Sequence, residues 1–389
     1  MDYKKRALAL HAKYRGKVEI KSKIPIKTKT DLALAYTPGV AEVSLAIAKD
    51  KTLINKYTFR GNAVAIVTDG SRVLGLGNIG PEAALPVMEG KAILFKEFGN
   101  IDAFPICLAT QDTEEIIKTV KNIAPVFAGI NLEDIASPKC FEVENRLKKE
   151  LNIPVFHDDQ HGTAIVVLAG LINALKFTKR KAEEVKIVIN GAGSAGTAIG
   201  KILVAHGVQN IIMFDIDGAI YKNRKKGMDK YKEELAKITN QAKFNGNLKE
   251  AMQSADVFIG VSAPNLVTKE MIATMAPDPI VFTLANPIPE IMPEEAKKGG
   301  AKVVATGRSD YPNQINNLLC FPGIFRGVID AGLPQITAEI KIAAALAIAS
   351  LIPQSQLRAD YIIPSALDKK VPQAIARAIK KHSSLRSTF

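Results

Sequence analysis

Two pairs of adjacent acids carry the first chemical signal in this chain: Glu133-Asp134, after the strand-like segment PVFAGINL, and Asp158-Asp159, after IPVFH. Carboxylates gathered in one place raise one another's pKa unless a cation neutralises them. An all-oxygen donor set favours Mg²⁺ or Mn²⁺ over zinc. Either pair alone also suits a helix cap or a surface turn, but two pairs at equivalent strand ends favour a site. Neighbouring residues of a regular strand point to opposite faces, so both members of a pair converge only where the chain bends. The histidines of HDDQH, His157 and His161, open a zinc or iron reading. It needs a helix over both, whereas Gly162-Thr163 places the expected helix start after His161. Histidines that orient acidic ligands are the better reading.

A second signal is glycine spacing. GxGxxG occurs at Gly75-Gly77-Gly80 and again at Gly191-Gly193-Gly196. The later copy has the full context: KIVIN reads as a buried strand, TAIGKILVAHG as a helix, and Asp215 closes the next strand 19 residues after Gly196. Such a turn, built here from Gly191, Gly193, Ser194, Ala195 and Gly196, brings backbone N–H groups and a helix N-terminus against a pyrophosphate. The strand-end acid, Asp215, then meets the adenosine ribose. Asp215 repels a 2′-phosphate and so favours NAD, while Arg224, Lys225 and Lys226 are near enough to compensate and leave NADP open. The earlier copy follows a hairpin-like stretch, which suits a tight turn into a helix at Pro81.

Positioning these groups requires an α/β framework. Strand-like segments at 63–70, 103–108, 126–130 and 155–157 alternate with helical ones at 113–122 and 138–151. A second series follows at 186–189, 210–214, 257–259, 281–284 and 303–305. Strands separated by helices imply parallel sheets covered on both faces. At 389 residues the chain is long for one core, and two domains are expected. One is a Rossmann-type doubly wound sheet at 158–317. The other is a smaller α/β substrate and metal domain at 1–157, completed by the helical stretch 318–389.

Bulk properties exclude several classes. Cys107, Cys140 and Cys320 form no metal-ligand spacing and no disulfide framework, which points to a reducing, cytoplasmic setting. The longest apolar run, Thr163 to Leu175, is short of the roughly 20 residues of a membrane span. The net charge of +13 comes from scattered lysines with no aromatic interleaving and no Trp, so neither a membrane nor a nucleic acid is an expected partner.

Several long segments resemble malic enzymes, in order and over about residues 20 to 380. They are DLALAYTPGVA (31–41), TDGSRVLGLGNIGPEAALPVMEGKAILFKEFGNIDAFPI (68–106), INLEDIASPKCFEVE (130–144), IPVFHDDQHGTA (153–164) and INGAGSAG (189–196). ANPIPE (285–290) and GRSDYPNQINNLLCFPG (307–323) continue the series. The resemblance is to the short bacterial form. It implies metal-dependent oxidative decarboxylation of malate to pyruvate and CO₂ with reduction of NAD(P), and a homodimer. It implies metal ligands at Glu133, Asp134 and Asp159, a general base at Lys91, a general acid at Tyr36 and a supporting carboxylate at Asp158. Arg72 matches a clamp for the substrate carboxylate. Asn286 and Asn317, with neighbouring Asn316, match residues near the nicotinamide and malate. Leu76, Gly77, Asn78 and Gly80 match a segment near the cofactor. Without the resemblance, Lys91, Tyr36 and Arg72 read as ordinary surface or core side chains.

That chemistry is coherent. Oxidising a 2-hydroxy acid needs a base for the hydroxyl proton, and decarboxylation needs an electron sink and a proton at C3. An amino-acid dehydrogenase of similar build needs no metal, so the acidic cluster separates the two. A catalytically silent nucleotide sensor does not need Tyr36, Lys91 and all three ligand positions together.

Overall fold

In the computed structural model, residues 3–386 are described. Four strands, β1 (Ala63–Thr68), β2 (Asp102–Cys107), β3 (Gly129–Leu132) and β4 (Val155–His157), form a parallel sheet of order β2-β1-β3-β4. Six more form a second sheet of order β10-β9-β8-β5-β6-β7: β5 (Lys186–Asn190), β6 (Asn210–Asp215), β7 (Gly218–Ala219), β8 (Val257–Gly260), β9 (Ile280–Thr283) and β10 (Val303–Thr306). All pairings in it are parallel except the short β6–β7 edge. This is the two-domain α/β architecture expected from the alternating pattern, with β7 as an unanticipated edge strand. Each sheet has a central strand, β1 or β5, whose two neighbours both follow it in sequence but lie on opposite sides of it, so the strand order reverses there. Such switch points open crevices at the carboxyl ends of the strands.

The reason for the first sheet's placement is apolar content. Every residue of β1 is buried, as expected for a strand covered on both faces. The Gly80–Gly99 helix packs against it, and Phe95 of that helix stacks on Phe321 and Phe325, with ring centroids 4.7 and 5.4 Å away. Phe325 also meets Phe156 of β4 edge-on at 6.0 Å. The Phe321–Asp330 helix is thereby fastened to the first sheet, as the apolar helical C-terminal stretch suggests.

The Asp158–Thr178 helix links the two sheets. Among the described residues it is the one helix long and apolar enough to cross a membrane, and 72% of that stretch is buried inside the protein. It packs against the Ser194–Ala205 and Ala338–Ser350 helices. Its start corrects the sequence reading: the helix begins at Asp158, before His161 rather than after it. Gly162 does not end or start it. Its missing Cβ makes room for the Asp158 carboxylate. Starting there sends Asp158 and Asp159 onto a helical first turn, the bend their convergence needs.

The N-terminal segment is built differently. The Tyr3–Tyr14, Lys29–Ala35 and Val40–Lys49 helices contain no buried residue. These helices and the segments between them expose Leu8, Ile20, Ile24, Leu34, Tyr36 and Leu45, among others.

Candidate active site

Strand ends deliver the acids. Asp69, Glu133 and Asp158 each directly follow a strand of the first sheet, β1, β3 and β4 respectively. Glu133, Asp134 and Asp159 offer ligand oxygens that all lie within 4.8 Å of one another. Asp134 turns its carboxylate in by adopting a left-handed backbone, φ 53°, a conformation that an aspartate tolerates better than most residues. Its N–H donates to Asp159 Oδ2 at 2.8 Å. Its carbonyl accepts from the N–H of Arg72 at 3.0 Å, tying the Arg72 loop to the cluster. Asn131 Nδ2 donates to Glu133 Oε2 at 2.9 Å and orients that side chain.

Lys91 enters from the Gly80–Gly99 helix. Its ammonium lies 3.0 Å from Glu133 Oε1, pairs with Asp158, and sits 4.5 Å above the centre of the Phe321 ring. Burial alone lowers a lysine pKa, but the charges of Asp158, Glu133 and Asp159 outweigh it and raise that of Lys91. The carboxylates show the opposite side of the same crowding. Burial, with mutual repulsion, pushes Asp134 up to about 9, although Lys91 opposes it. Burial likewise holds Asp158 at about 7 and Asp159 at about 6, with Lys91 again opposing.

The donor set fits a divalent cation. Asp134 Oδ2 is buried with no hydrogen-bond partner, and three converging oxygens match the hard-ligand preference of Mg²⁺ or Mn²⁺. His157 and His161 do not join this set. His157 is fully buried in β4, and His161 turns away to Glu144, Nε2 to Oε2 2.8 Å.

The dinucleotide fingerprint sits at the switch point of the second sheet. Gly191 has φ 119°, and a Cβ there would run into the Val261 carbonyl; one at Gly196 would overlap the Gly191 carbonyl. Both glycines therefore permit close backbone packing. Ser194 begins the Ser194–Ala205 helix, with Ala195 and Gly196 in its first turn. A cleft of about 370 Å³ runs past Gly191, Gly193, Asp215 and Ser262, and Arg72 lines it from the first sheet's side. The Asp215 carboxylate is already engaged. Arg224 holds both its oxygens, Lys232 Nζ is 2.7 Å away, and the Asp217 N–H donates at 2.9 Å. These partners hold its pKa below the usual carboxylate range despite burial.

The earlier glycine turn packs against the turn that follows β9. Gly75 packs on the Asn286-Pro287 backbone, where a Cβ would meet the Asn286 carbonyl at 2.6 Å and Pro287 Cδ at 2.8 Å. No hairpin forms there: Val73 and Gly77 make a single antiparallel bridge. Leu76 and Asn78 are exposed, and Asn78 Oδ1 accepts from Gln111 at 3.0 Å. Gly80 starts the Lys91 helix. Asn317 Cβ lies against Gly162, beside Asp158, whereas Asn316 Oδ1 caps a short helical turn by accepting from Leu318 N–H at 2.9 Å.

Tyr36 is placed elsewhere. It ends the Lys29–Ala35 helix, is 67% exposed, and its hydroxyl makes no hydrogen bond to the lysine cluster.

With this geometry in place, comparison with known proteins decides the family. The profile described as "Malic enzyme, N-terminal domain" matches residues 15–148, and "Malic enzyme, NAD binding domain" matches 160–383. The chain belongs to the malic enzyme family. Among curated malic enzymes, it is similar to the "Bifunctional malic/malolactic enzyme" of Bacillus subtilis, 57% identical over 98% of this chain and 93% of that protein. It is also similar to the "NAD-dependent malic enzyme" of Geobacillus stearothermophilus, 57% identical over 94% of this chain and 76% of that protein. The solved NAD-dependent malic enzyme of Thermotoga maritima superposes with a TM-score of 0.93 at 50% identity, covering 96% of this chain and 98% of that one. Like the rest of the family, the chain is an oxidoreductase with an NAD(P)-binding domain.

Several structural roles at this malic enzyme site were not read from the sequence. Asp69, fully buried, is held by Lys139 and by Ser71 Oγ at 2.6 Å. Its position directly after β1 is the signal that marks it. Asn131 interrupts the apolar strand GINL, another readable cue. Glu290, buried, accepts from Ser262 and Ala285 N–H groups and from the Thr283 hydroxyl, bracing the Asn286-Pro287 turn. No local pattern announces it.

Proposed function

We propose that this chain oxidises and decarboxylates malate to pyruvate and CO₂ with reduction of NAD(P), using Mg²⁺ or Mn²⁺ held by Glu133, Asp134 and Asp159. The convergence of those three carboxylates beside the Lys91 ammonium, next to a dinucleotide cleft, carries the reading. A bound divalent cation would polarise the substrate hydroxyl and supply the electron sink for loss of CO₂.

The chain's own groups do the rest. The Lys91 ammonium first passes a proton along its hydrogen bond to Asp158, and the neutral amine so formed then takes the substrate hydroxyl proton at Nζ. Asn131 and the Asp134 N–H keep Glu133 and Asp159 aimed. Arg72 binds a substrate carboxylate from the cleft wall, and Asn286 and Asn317 position the nicotinamide and the substrate. Asn316 acts with them by holding the turn that carries Asn317. Leu76, Gly77, Asn78 and Gly80 complete the cofactor's cover, and Gly191, Gly193, Ser194, Ala195 and Gly196 receive its pyrophosphate. NAD is the preferred cofactor and NADP a tolerated one, because the repulsive Asp215 is offset by Arg224 and Lys232.

Tyr36 is the acid that protonates C3 of the enol. Its exposure on an N-terminal segment rich in exposed apolar side chains supports a homodimer, since one seating event buries that surface and repositions the ring. The substrate and metal unit spans 1–157 with 318–389, and the cofactor unit 158–317. One assay tests the reaction: malate and Mn²⁺ with NAD or NADP, following reduced cofactor and pyruvate together. Equal yields are expected, and reduced cofactor without pyruvate would make the chain a simple dehydrogenase.

A further inference from the structure

The loop that carries Arg72 is held at its root rather than at its tip. Arg72 lines the cofactor cleft, and among the described residues its guanidinium makes no hydrogen bond or ion pair. Its aim therefore depends on the backbone beneath it. That backbone leaves β1 at Asp69 and closes on itself, because the Gly70 carbonyl accepts the N–H groups of Ile79 and Gly80, each at 3.2 Å.

Both oxygens of the Asp69 carboxylate organise this root. Oδ1 accepts from the Ser71 N–H at 3.0 Å and from the Ser71 hydroxyl at 2.6 Å. Ser71 Oγ in turn accepts from the Ala136 N–H at 2.9 Å, and Arg72 donates its own N–H to the Asp134 carbonyl at 3.0 Å. Oδ2 pairs with the Lys139 ammonium, which also donates to the Gln111 carbonyl at 2.9 Å. Gln111 Nε2 donates to Asn78 Oδ1 at 3.0 Å, near the other end of the Arg72 loop. One ion pair thus joins the segments that follow β1, β2 and β3.

Its setting makes the pair demanding. The Asp69 side chain is fully buried and that of Lys139 is 19% exposed. A buried carboxylate is costly without its cation. Without Lys139 it must find water or a proton, and the Asp69–Ser71 geometry that leads into Arg72 relaxes. Ser137 and Pro138, the two residues before Lys139, line the same cleft as Arg72. The pair therefore fixes the Arg72 loop against a segment of the cofactor cleft's wall.

We propose that Asp69 and Lys139 are positioning residues for substrate affinity: their ion pair sets the root of the Arg72 loop so that the guanidinium meets a substrate carboxylate. This rests on the reading of Arg72 as the carboxylate clamp. A pair that acts through such a clamp changes binding shared by the ground and transition states, which is read in KM rather than in kcat.

Steady-state kinetics on the full chain with malate, NAD and Mn²⁺ test it. Lys139→Met raises the malate KM at least tenfold, while kcat stays within threefold and the NAD KM within twofold. Its affinity for Mn²⁺ alone, measured by titration calorimetry without substrate, stays within threefold. Lys139→Arg restores the cation and brings the malate KM back to within threefold of wild type. Ser71→Ala keeps the ion pair but cuts its link to the Arg72 backbone, and it raises the malate KM at least threefold even if Lys139→Met folds poorly. Arg72→Ala raises the malate KM by itself. Adding Lys139→Met to it changes that KM less than twofold, because nothing is left to position. A malate KM unmoved by Lys139→Met or by Ser71→Ala, no recovery in Lys139→Arg, a fall in kcat as large as the rise in KM, or full additivity with Arg72→Ala each overturns the proposal. A malate KM unmoved by Arg72→Ala overturns the clamp itself, and the positioning role with it.

Discussion

The backbone N–H of Asp134 donates to the Asp159 carboxylate at 2.8 Å, so a main-chain bond couples an acid after β3 to an acid on the helix that follows β4. That bond forms only because Asp134 is left-handed and because the Asp158–Thr178 helix begins one residue before Asp159. Two carboxylates that repel are thereby held in one place, ready for a shared cation.

Asp159→Asn keeps an oxygen that can accept this bond but removes the charge. Replacing an outer partner of a metal site typically costs about 10–100-fold in affinity, so loss of a ligand charge should cost at least about 100-fold. The expected outcome is an Mn²⁺ requirement shifted up by that factor, with an unchanged circular dichroism spectrum. Activity titrated against Mn²⁺ at saturating malate checks it, and an unshifted curve removes Asp159 from the ligand set.

Lys91→Met separates catalysis from charge balance. Removing a positioned acid–base group costs about 10²–10⁴ in turnover. It also leaves Glu133 and Asp158 buried without their cation, and breaking such a pair costs about 3–5 kcal/mol. The variant should therefore melt lower than wild type in EDTA and recover much of that loss in Mn²⁺, while turnover stays low. Melting curves in both media check this. Equal destabilisation with and without Mn²⁺ would mean that Lys91 balances no shared charge.

The parts of this site legible in the sequence are those built from local patterns. A buried strand, a glycine turn and a strand-end acid are short-range features, and the fingerprint at Gly191 to Asp215 shows all three. The acid pairs were legible as strand-end groups, because an apolar run directly precedes each. The start of the Asp158–Thr178 helix was not, since Gly162 reads as a breaker when its long-range contact with Asp158 is invisible. Glu290 escaped for the same reason: its partners, Ser262, Thr283 and Ala285, belong to two other strand ends. Lys91 and Tyr36 carry no pattern of their own and became visible only through the family resemblance.

Cofactor choice turns on how Asp215 is held. Arg224 and Lys232 both contact its carboxylate, and Arg224 is itself buried. Asp215→Ala removes the negative charge and frees two cations for a 2′-phosphate. Charge-assisted hydrogen bonds of this kind contribute about 1.5–3 kcal/mol each, so the ratio of kcat/KM for NADP over NAD should rise at least tenfold. Steady-state rates with both cofactors measure it. A ratio that stays constant would show that the Asp215–Arg224 pair only braces the β6–β7 edge.

Tyr36 and the N-terminal helices pose the last test. Leu34 is 72% exposed, two residues before Tyr36, and Ile20 is 92% exposed. Exposed apolar surface on this scale, on a segment whose helices have no buried residue of their own, calls for a partner surface. A charge placed there should prevent that contact without touching either core. If the proposed homodimer forms through this surface, Leu34→Glu shifts the chain from dimer to monomer in sedimentation velocity, with its melting transition otherwise cooperative. If the same contact seats Tyr36, turnover falls with the dimer fraction and returns at higher protein concentration. Tyr36→Phe should instead remain dimeric and lose about 10²–10⁴ in turnover. A fully active Leu34→Glu monomer would separate Tyr36 from the assembly and leave its ring without a route to the site.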